Sequence, residues 1–550
     1  MNKTRAVALA LLGLVLVSIP VVDYLALPAW NLQSFALWML AGVYLFLVSS
    51  LAFVAAGKPR AAFAAIPIGA IPVAASFILS AFSWVFWPGN DARFFRRLPV
   101  SERAADDFPR DFPGEGISAD EKERLLLPAL DKELSRTIAQ GKLGPYGAQF
   151  QMDDTIFTSL SVLRDGKPRI IRVAPLDYSG SAVAISAGET GTAGYIEVDQ
   201  ETGEGKLAET KGGMKFTPGA ILSRDLARRA RFAYRTKLFG SWSFEIDDGG
   251  NPFWTIPTLR NSIGVFGGPV REGLVLVDAV NGAVAYYPAG TEPDWVDRSI
   301  PVDLVLSQAN DYLGLKNGWG NYYFGARKDV FQLSDSYAYV VSNSSAGSRT
   351  WFVSGVTSPN EADQTLVGLM MVDLKSGEAR RYPLSGITEM RAMDIAVNDE
   401  RVRAQGLSAS WPFLVDVDGI PAFAMILKND LQRQRFAYVD VATGQKVSMG
   451  DTRGSARAQF VGLTGGDAEA DERLVEYSGT VLRVKERPDE DAIQFMLAGD
   501  PFALYSVPAR TTLGAYFLAP GDRIIFSYRE SSSVRGMRFV VRLRNLTVGE

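Results

Sequence analysis

Histidine and cysteine are both absent from this 550-residue chain. Their absence removes the Ser-His-Asp triad, thiol nucleophiles, zinc sites built of Cys or His, haem held by His or Cys, and every disulfide. A Gly-x-Ser-x-Gly elbow and a Walker-type phosphate loop are missing as well. Paired carboxylates, Ser-Lys arrangements and oxygen-ligated metals stay open, but no cofactor is expected. Neither sign of charge is in excess: 57 Lys and Arg stand against 61 Asp and Glu, a net charge of −4 with a pI near 5.4. That balance gives no reason to expect a nucleic-acid partner. The length exceeds what one core sustains, so several domains are expected.

Long apolar runs are present, and all lie at the start. Ala6 to Val22, Phe35 to Ala56 and Ala61 to Trp87 read as three transmembrane helices over residues 1–89, the second and third each long enough to cross about 30 Å of hydrocarbon. Pro67 and Pro72 are expected to kink the third, with Trp84 and Trp87 at its interfacial end. Lys3 and Arg5 precede the first span and Lys58 and Arg60 lie between the second and third, whereas the Asp23 to Ser34 loop has no Lys or Arg. This bias places the N-terminus inside the bacterial cytoplasmic membrane and the large C-terminal part outside it. Arg93, Arg96, Arg97 and Arg103 run against the rule. They fall in 90–117, which reads as a linker or juxtamembrane collar.

A six-residue phrase then recurs four times: Val198 to Gly203, Val277 to Gly282, Val372 to Gly377 and Val439 to Gly444, each a Val-Asp pair, two free positions, a small polar residue and Gly. Each copy closes an apolar, β-prone run, so the phrase reads as a hairpin turn. Asp199, Asp278, Asp373 and Asp440 accept hydrogen bonds from turn amides, and Gly203, Gly282, Gly377 and Gly444 supply φ > 0. A calcium-ligand role is not expected, because no copy carries the needed acidic cluster. The recurrence marks an internal repeat of amphipathic helix, strands and turn, bounded at 118–215, 216–292, 293–384 and 385–450. The helices are expected to start near Ser118, Ser223, Pro301 and Thr388, the first behind the capping box Ser118 to Glu121 and before Leu125, Leu126 and Leu127. A second marker keeps the register: Asp165 to Pro168, Asp248 to Pro252 and Asp418 to Pro421 are Asp, Gly, Pro turns before apolar strands, and Leu333 to Ser336 stands in their place in the third repeat.

On these residues, most closely Gly273 to Gly282, residues 118 to 450 resemble the PepSY-like domains of bacterial envelope proteins. The stretch from Asp248 to Arg298 also looks like large bacterial membrane proteins built from such units. The resemblance implies extracytoplasmic binding or inhibitory modules and supplies no catalytic residues. After a Gly- and Ala-rich linker at 451–473, five β-like runs in 474–550 point to an OB-like small β-barrel. Its Phe495, Tyr505 and Tyr528 are expected in the core, since ten Lys or Arg against nine Asp or Glu from Leu474 to Glu550 make no basic groove.

The expected fold class is therefore α+β: three transmembrane helices, tandem helix-plus-antiparallel-sheet repeats and a terminal barrel. Two constellations are candidate binding surfaces. Arg224, Arg228, Arg231 and Arg235, with Arg229 and Lys237, make the opening helix of the second repeat basic, a solvated face or a surface for anionic lipid, an acidic glycan or a partner. Trp295, Trp319 and Tyr322, with Tyr323 and Phe324, suit inter-repeat packing or the floor of a carbohydrate or peptide groove. The sequence favours a membrane-anchored, non-enzymatic scaffold or binding protein. Its expected partners are the lipid bilayer and an envelope protein, a peptide or a second copy. The alternatives are an envelope enzyme or peptidase inhibitor using Asp247, Asp248, Asp416 and Asp418, and a DNA-handling membrane protein acting through the barrel.

Overall fold

A computed structural model describes residues 3–547 except 105–106, 109–123, 127, 129, 131, 154–155, 165–166, 335–336, 345–346, 361–364, 418, 430–433, 465–473, 488–491, 509–514, 516 and 530–536. Three N-terminal helices are long and apolar enough to cross a membrane: Lys3–Ala26, Phe35–Ala55 and Pro59–Ala81. The second and third lie against each other at Gly42 and Gly69, where a Cβ on either would fall 2.8 Å from the other's carbonyl oxygen. Such small residues let the two backbones approach closely. Arg5 lies against Gly57, so the N-terminus and the 57–60 turn share one end of the bundle. The third span opens as a tight 3-10 turn, Pro59–Ala64, and its helix stops at Ala81 rather than Trp87. Beyond it the Asn90 amide donates to the Phe82 and Trp84 carbonyls at 2.9 and 2.8 Å, satisfying groups a longer helix would have used.

Four units follow, each a helix leading into five strands. The helices are Lys132–Leu143, Leu226–Ala233, Val302–Gly314 and Glu389–Asn398. In every unit the fifth, fourth and third strands are neighbours, and the short first strand and the second strand share the far edge of the third. The central third strands are therefore long: Lys167–Tyr178, Pro252–Ile263, Gly347–Thr357 and Ile420–Lys428. Their inward residues build two shared cores. Leu160, Val173 and Tyr195 of the first unit pack with Phe244, Trp254 and Val275 of the second, and Trp351, Leu369 and Tyr382 of the third with Phe423, Tyr438 and Val439 of the fourth. In the third unit Val305, Ala309 and Leu313 bury the helix against the opposite sheet face, among them Phe352 and Met370. The sheets thus pair through shared cores, to which the helices of the second and fourth units also contribute, Leu226 and Ala230 in one and Ala392 and Ala396 in the other.

The repeated phrase is the turn between the fourth and fifth strands. Gly203, Gly282, Gly377 and Gly444 hold φ of 75°, 71°, 80° and 71°, and each donates its amide to the carbonyl of its Asp at 2.9 to 3.1 Å. The Asp carboxylates accept the turn amides, for example Val280 and Asn281 on Asp278 at 2.8 and 3.1 Å, Glu201 and Thr202 on Asp199, Lys375 and Ser376 on Asp373, and Thr443 and Lys446 on Asp440. A further recurrence had no sequence signal. The residue after the Asp offers its carbonyl to the segment that enters the unit: Ala279 accepts from Lys215 and Phe216, Leu374 from Ser299 and Ile300, and Val441 from Ile387.

Several expected elements fall differently. The Ser118 capping box lies outside the described residues, and the apolar run behind it is not the first helix: Arg124–Leu126 is a strand pairing with Val341 to Asn343. A short apolar run such as Leu125 and Leu126 satisfies a sheet edge as readily as a helix face, and the edge of the third unit decides between them. Val100–Glu102 pairs in parallel with Ala379 to Arg381 on the opposite edge, so the segment after the spans flanks the third sheet on both sides. Within the third unit, where the Asp, Gly, Pro turn is lacking, Gln332–Leu333 is the short first strand and Ala338–Ser344 pairs with Gly347–Thr357 as the hairpin. The stretch after Gly450 contains a helix, Arg453–Thr464, with Ala456 and Phe460 buried in the fourth unit's core; its Thr452 and Ser455 exchange cap hydrogen bonds. Small residues there make a tightly packed helix, not a linker.

The last domain is a closed five-stranded barrel, in which Leu474–Arg487 pairs with both Ala492–Leu497 and Arg523–Arg529, while Asp500–Pro508 runs parallel to Met537–Asn545. A register shift at Val481 to Arg483 bends the first strand so that it serves both sides. Phe495, Tyr505, Phe526 and Tyr528 fill the interior.

Candidate functional site at the membrane junction

The residues of greatest interest gather where the folded part meets the span ends. The 27–34 loop carries no side-chain cation and docks by hydrogen bonds: the Trp30 amide donates to the Arg235 carbonyl at 2.8 Å, Asn31 to the Thr236 carbonyl at 2.8 Å, and Gln33 and Asn261 pair reciprocally at 3.0 and 2.8 Å. The hairpin Pro252–Ile263/Gly267–Asp278 is long enough to reach the spans. At its tip the Ser83 hydroxyl accepts the Val265 and Phe266 amides at 3.1 Å each, and Phe266 meets Phe35 edge to face. Close packing demands glycine there, because a Cβ on Gly264 would lie 2.3 Å from the Ser83 hydroxyl.

The basic helix is largely spent on this junction. Its Asp225 cap accepts the Arg228 amide at 2.7 Å, and burial raises the Asp225 carboxyl against the opposing pull of Arg228. Arg228 reaches the Tyr24 carbonyl at 3.3 Å and lies over the Tyr24 ring, while Arg235 pairs with Asp23 at 2.9 Å. Arg224 binds Gly188 and Glu189 of the first unit, and Arg231 donates to the Lys237 carbonyl over the Phe239 ring. The aromatic group separates. Trp295 packs on Phe253 beside Val296, Leu274 and Leu276, whereas Trp319 and Tyr323 contact Phe86 just beyond the third span, at 5.3 and 5.2 Å between ring centres. Tyr322 rests on Gly314.

The arginines after the spans are also engaged. Arg93 donates to the Ser262 carbonyl, and Arg97 binds Asp311 and the Pro269 carbonyl with only 3% of its side chain exposed. Burial raises the Asp311 carboxyl and Arg97 opposes it.

Sequence reasoning missed a second assembly, where the first three units meet. Glu245, on the second unit's second strand, accepts the Asp297 and Arg298 amides at 2.8 and 3.2 Å and the Thr255 hydroxyl at 3.1 Å. Asp297 in turn accepts the Ser161 amide of the first unit at 2.6 Å. Arg298 covers the Tyr339 ring of the third. Burial, reinforced by Asp297, pushes Glu245 up to about 8, and burial pushes Asp297 up to about 7. These carboxyls are spread over distant stretches of sequence, so no local pattern announces them. They tie units together and are closed off from solvent.

Of the acids considered for catalysis, Asp247 and Asp248 sit at a hairpin turn and Asp416 lies in the strand Phe413–Val417. Asp247 accepts the Asn251 amide and side chain, Asp416 accepts the Gly419 amide at 3.2 Å, Asp248 is exposed, and Asp418 lies outside the described residues. Among the described residues no three acidic side chains gather as a metal site. Comparison with protein-family models and with curated proteins finds no match.

Proposed function

We propose that the chain is a membrane-anchored, non-catalytic scaffold or binding protein of the bacterial envelope, holding its four units and barrel on the outer side of the cytoplasmic membrane. The observation that carries this reading is the keyed junction: loop 27–34, Ser83 and the arginines at 93 and 97 fix the folded part to the span ends. A surface held in one orientation to the bilayer is suited to presenting itself to an envelope protein, a peptide or a second copy. Orientation is supported by the Lys58 and Arg60 turn sharing its end with the N-terminus, opposite the folded part. Arg93 and Arg97, which run against that rule, are occupied by protein contacts. The recurring helix and five-strand plan supports PepSY-like units, and the 1-2-3-5-4 strand order supports an OB-like barrel. Phe495, Tyr505 and Tyr528 lie inside that barrel, which speaks against their serving as a stacking platform in a DNA-handling role.

Reporter fusions after Lys58 and after Ser101 report opposite sides of the membrane, and cytoplasmic activity from the Ser101 fusion overturns the orientation. Cross-linking of the full chain in native membranes yields a discrete heteromeric or multimeric species; monomer alone removes the scaffold reading.

A further inference from the structure

The third unit carries a projection that its own fold leaves bare. After the helix Val302–Gly314 the chain forms a short helix, Gly318–Tyr323, and a loop to Asp329. Tyr323 is 46% exposed and Phe324 82%, yet Trp319 and Tyr323 touch Phe86, and Phe324 lies 6.0 Å from Trp319. Lys316, Arg327 and Lys328, in the same segment, are exposed. The loop is preformed, because Asn317 and Asn321 donate to the Lys328 carbonyl at 2.9 and 3.0 Å and Asn321 accepts the Lys328 amide. The Trp319 amide donates to Asp91 of the collar at 3.3 Å, holding the projection against the segment that leaves the membrane.

We propose that this projection is an interfacial membrane contact, with Trp319, Tyr323 and Phe324 seated in the headgroup layer of the bilayer that the three spans cross and Lys316, Arg327 and Lys328 on its phosphates. The proposal rests on the anchoring reading above. Its argument is continuity: Phe86 lies just past Ala81, where the third helix ends, and Trp84 and Trp87 of the same turn are 57% and 45% exposed. Headgroup layers extend about 5–8 Å beyond each side of the hydrocarbon. Trp319 and Tyr323, centred within 5.3 Å of Phe86, and Phe324, 6.0 Å from Trp319, are thereby held beside the end of that span. Aromatic rings with one wet and one apolar side favour this layer, and flanking cations meet anionic lipid there. A solvent-facing projection gains nothing from three clustered aromatic rings, whereas a lipid-facing one covers them.

The missing cysteine makes the test simple, since Phe324→Cys can be spin-labelled uniquely. Leu14→Cys in the first span and Ile185→Cys on the first unit, 66% and 65% exposed, serve as references. The full chain is placed in phosphatidylethanolamine–phosphatidylglycerol vesicles, and collisions with oxygen, which enters lipid, are compared with those of a water-soluble nickel chelate. The label at 324 is expected to lie between the references, with severalfold lower chelate access than at 185, and to move toward water when Arg327→Glu and Lys328→Glu are added. Chelate access equal to that at 185, with 14 still in lipid, overturns the seating and leaves anchoring intact. A label at 14 that reports water overturns both. Shielding of 324 from both reagents means that protein covers it, which also overturns the seating.

Discussion

Replacing Gly282 by Ala tests how the repeated turn is built. Gly282 holds φ of 71°, a conformation that costs an L-residue about 1–2 kcal/mol. A Cβ there would also lie 2.3 Å from the Phe216 ring. That ring cannot swing away freely: the Phe216 amide donates to the Ala279 carbonyl at 3.0 Å, its carbonyl accepts the Trp254 indole at 2.8 Å, and Arg229 lies over its face. Overpacking adds about 1–3 kcal/mol, for a total of about 2–5 kcal/mol. Gly203 is the control, because φ is 75° but the nearest atom to its Cβ is Leu130 at 3.7 Å, leaving the backbone cost of about 1–2 kcal/mol. Hydrogen exchange over 273–284 and 194–205 reads each turn locally, at about tenfold in opening per 1.4 kcal/mol. Gly282→Ala is expected to open its turn more than Gly203→Ala opens the other, and calcium is expected to protect neither. Equal effects at the two glycines, or protection of the wild-type turns by calcium, would refute the account.

Glu245 and Asp297 give a pH dependence. Their folded values, about 8 and about 7, exceed the ordinary 4.5 and 3.8, so the stability they contribute is fully present below those ordinary values, declines progressively as pH rises above them and is lost once pH has risen through about 7 to 8. The melting temperature is expected to fall across that range and the fall to shrink in Glu245→Gln; a melting temperature that rises with pH contradicts it. Ser83→Ala removes the acceptor of two amides and is expected to cost about 1–3 kcal/mol at the hairpin tip. Unchanged exchange at Val265 and Phe266 would show that the contact does not hold the tip.

Legibility followed locality. The apolar runs of the spans, the Asp and Gly of the turn phrase and the strands of the barrel are set by neighbours in sequence, and each was readable. The Leu125–Leu126 pair was misread because its partner edge lies at Val341 and Ser342. The helix around Phe460 was hidden by Gly and Ala, whose composition resembles a linker until Ala456 and Phe460 meet the fourth sheet. Arg228 and Arg235 read as a solvated face because nothing nearby reveals Tyr24 and Asp23, two hundred positions earlier. The Glu245 and Asp297 junction joins three units and has no local trace at all.

The strands that flank the third sheet have a consequence for how the molecule is made. Arg381 binds Glu102 across 279 positions, and the parallel strand at Val100–Glu102 finds its partner only when Ala379 to Arg381 are present. The chain beyond the third apolar helix therefore carries two strands that must wait while the first two units are synthesised between them and their partners. Assembly cannot run strictly from the N-terminus outward, and such long-range pairing slows folding. Premature termination after the second unit would release a species with both waiting strands unpaired, the state in which strand segments find wrong partners.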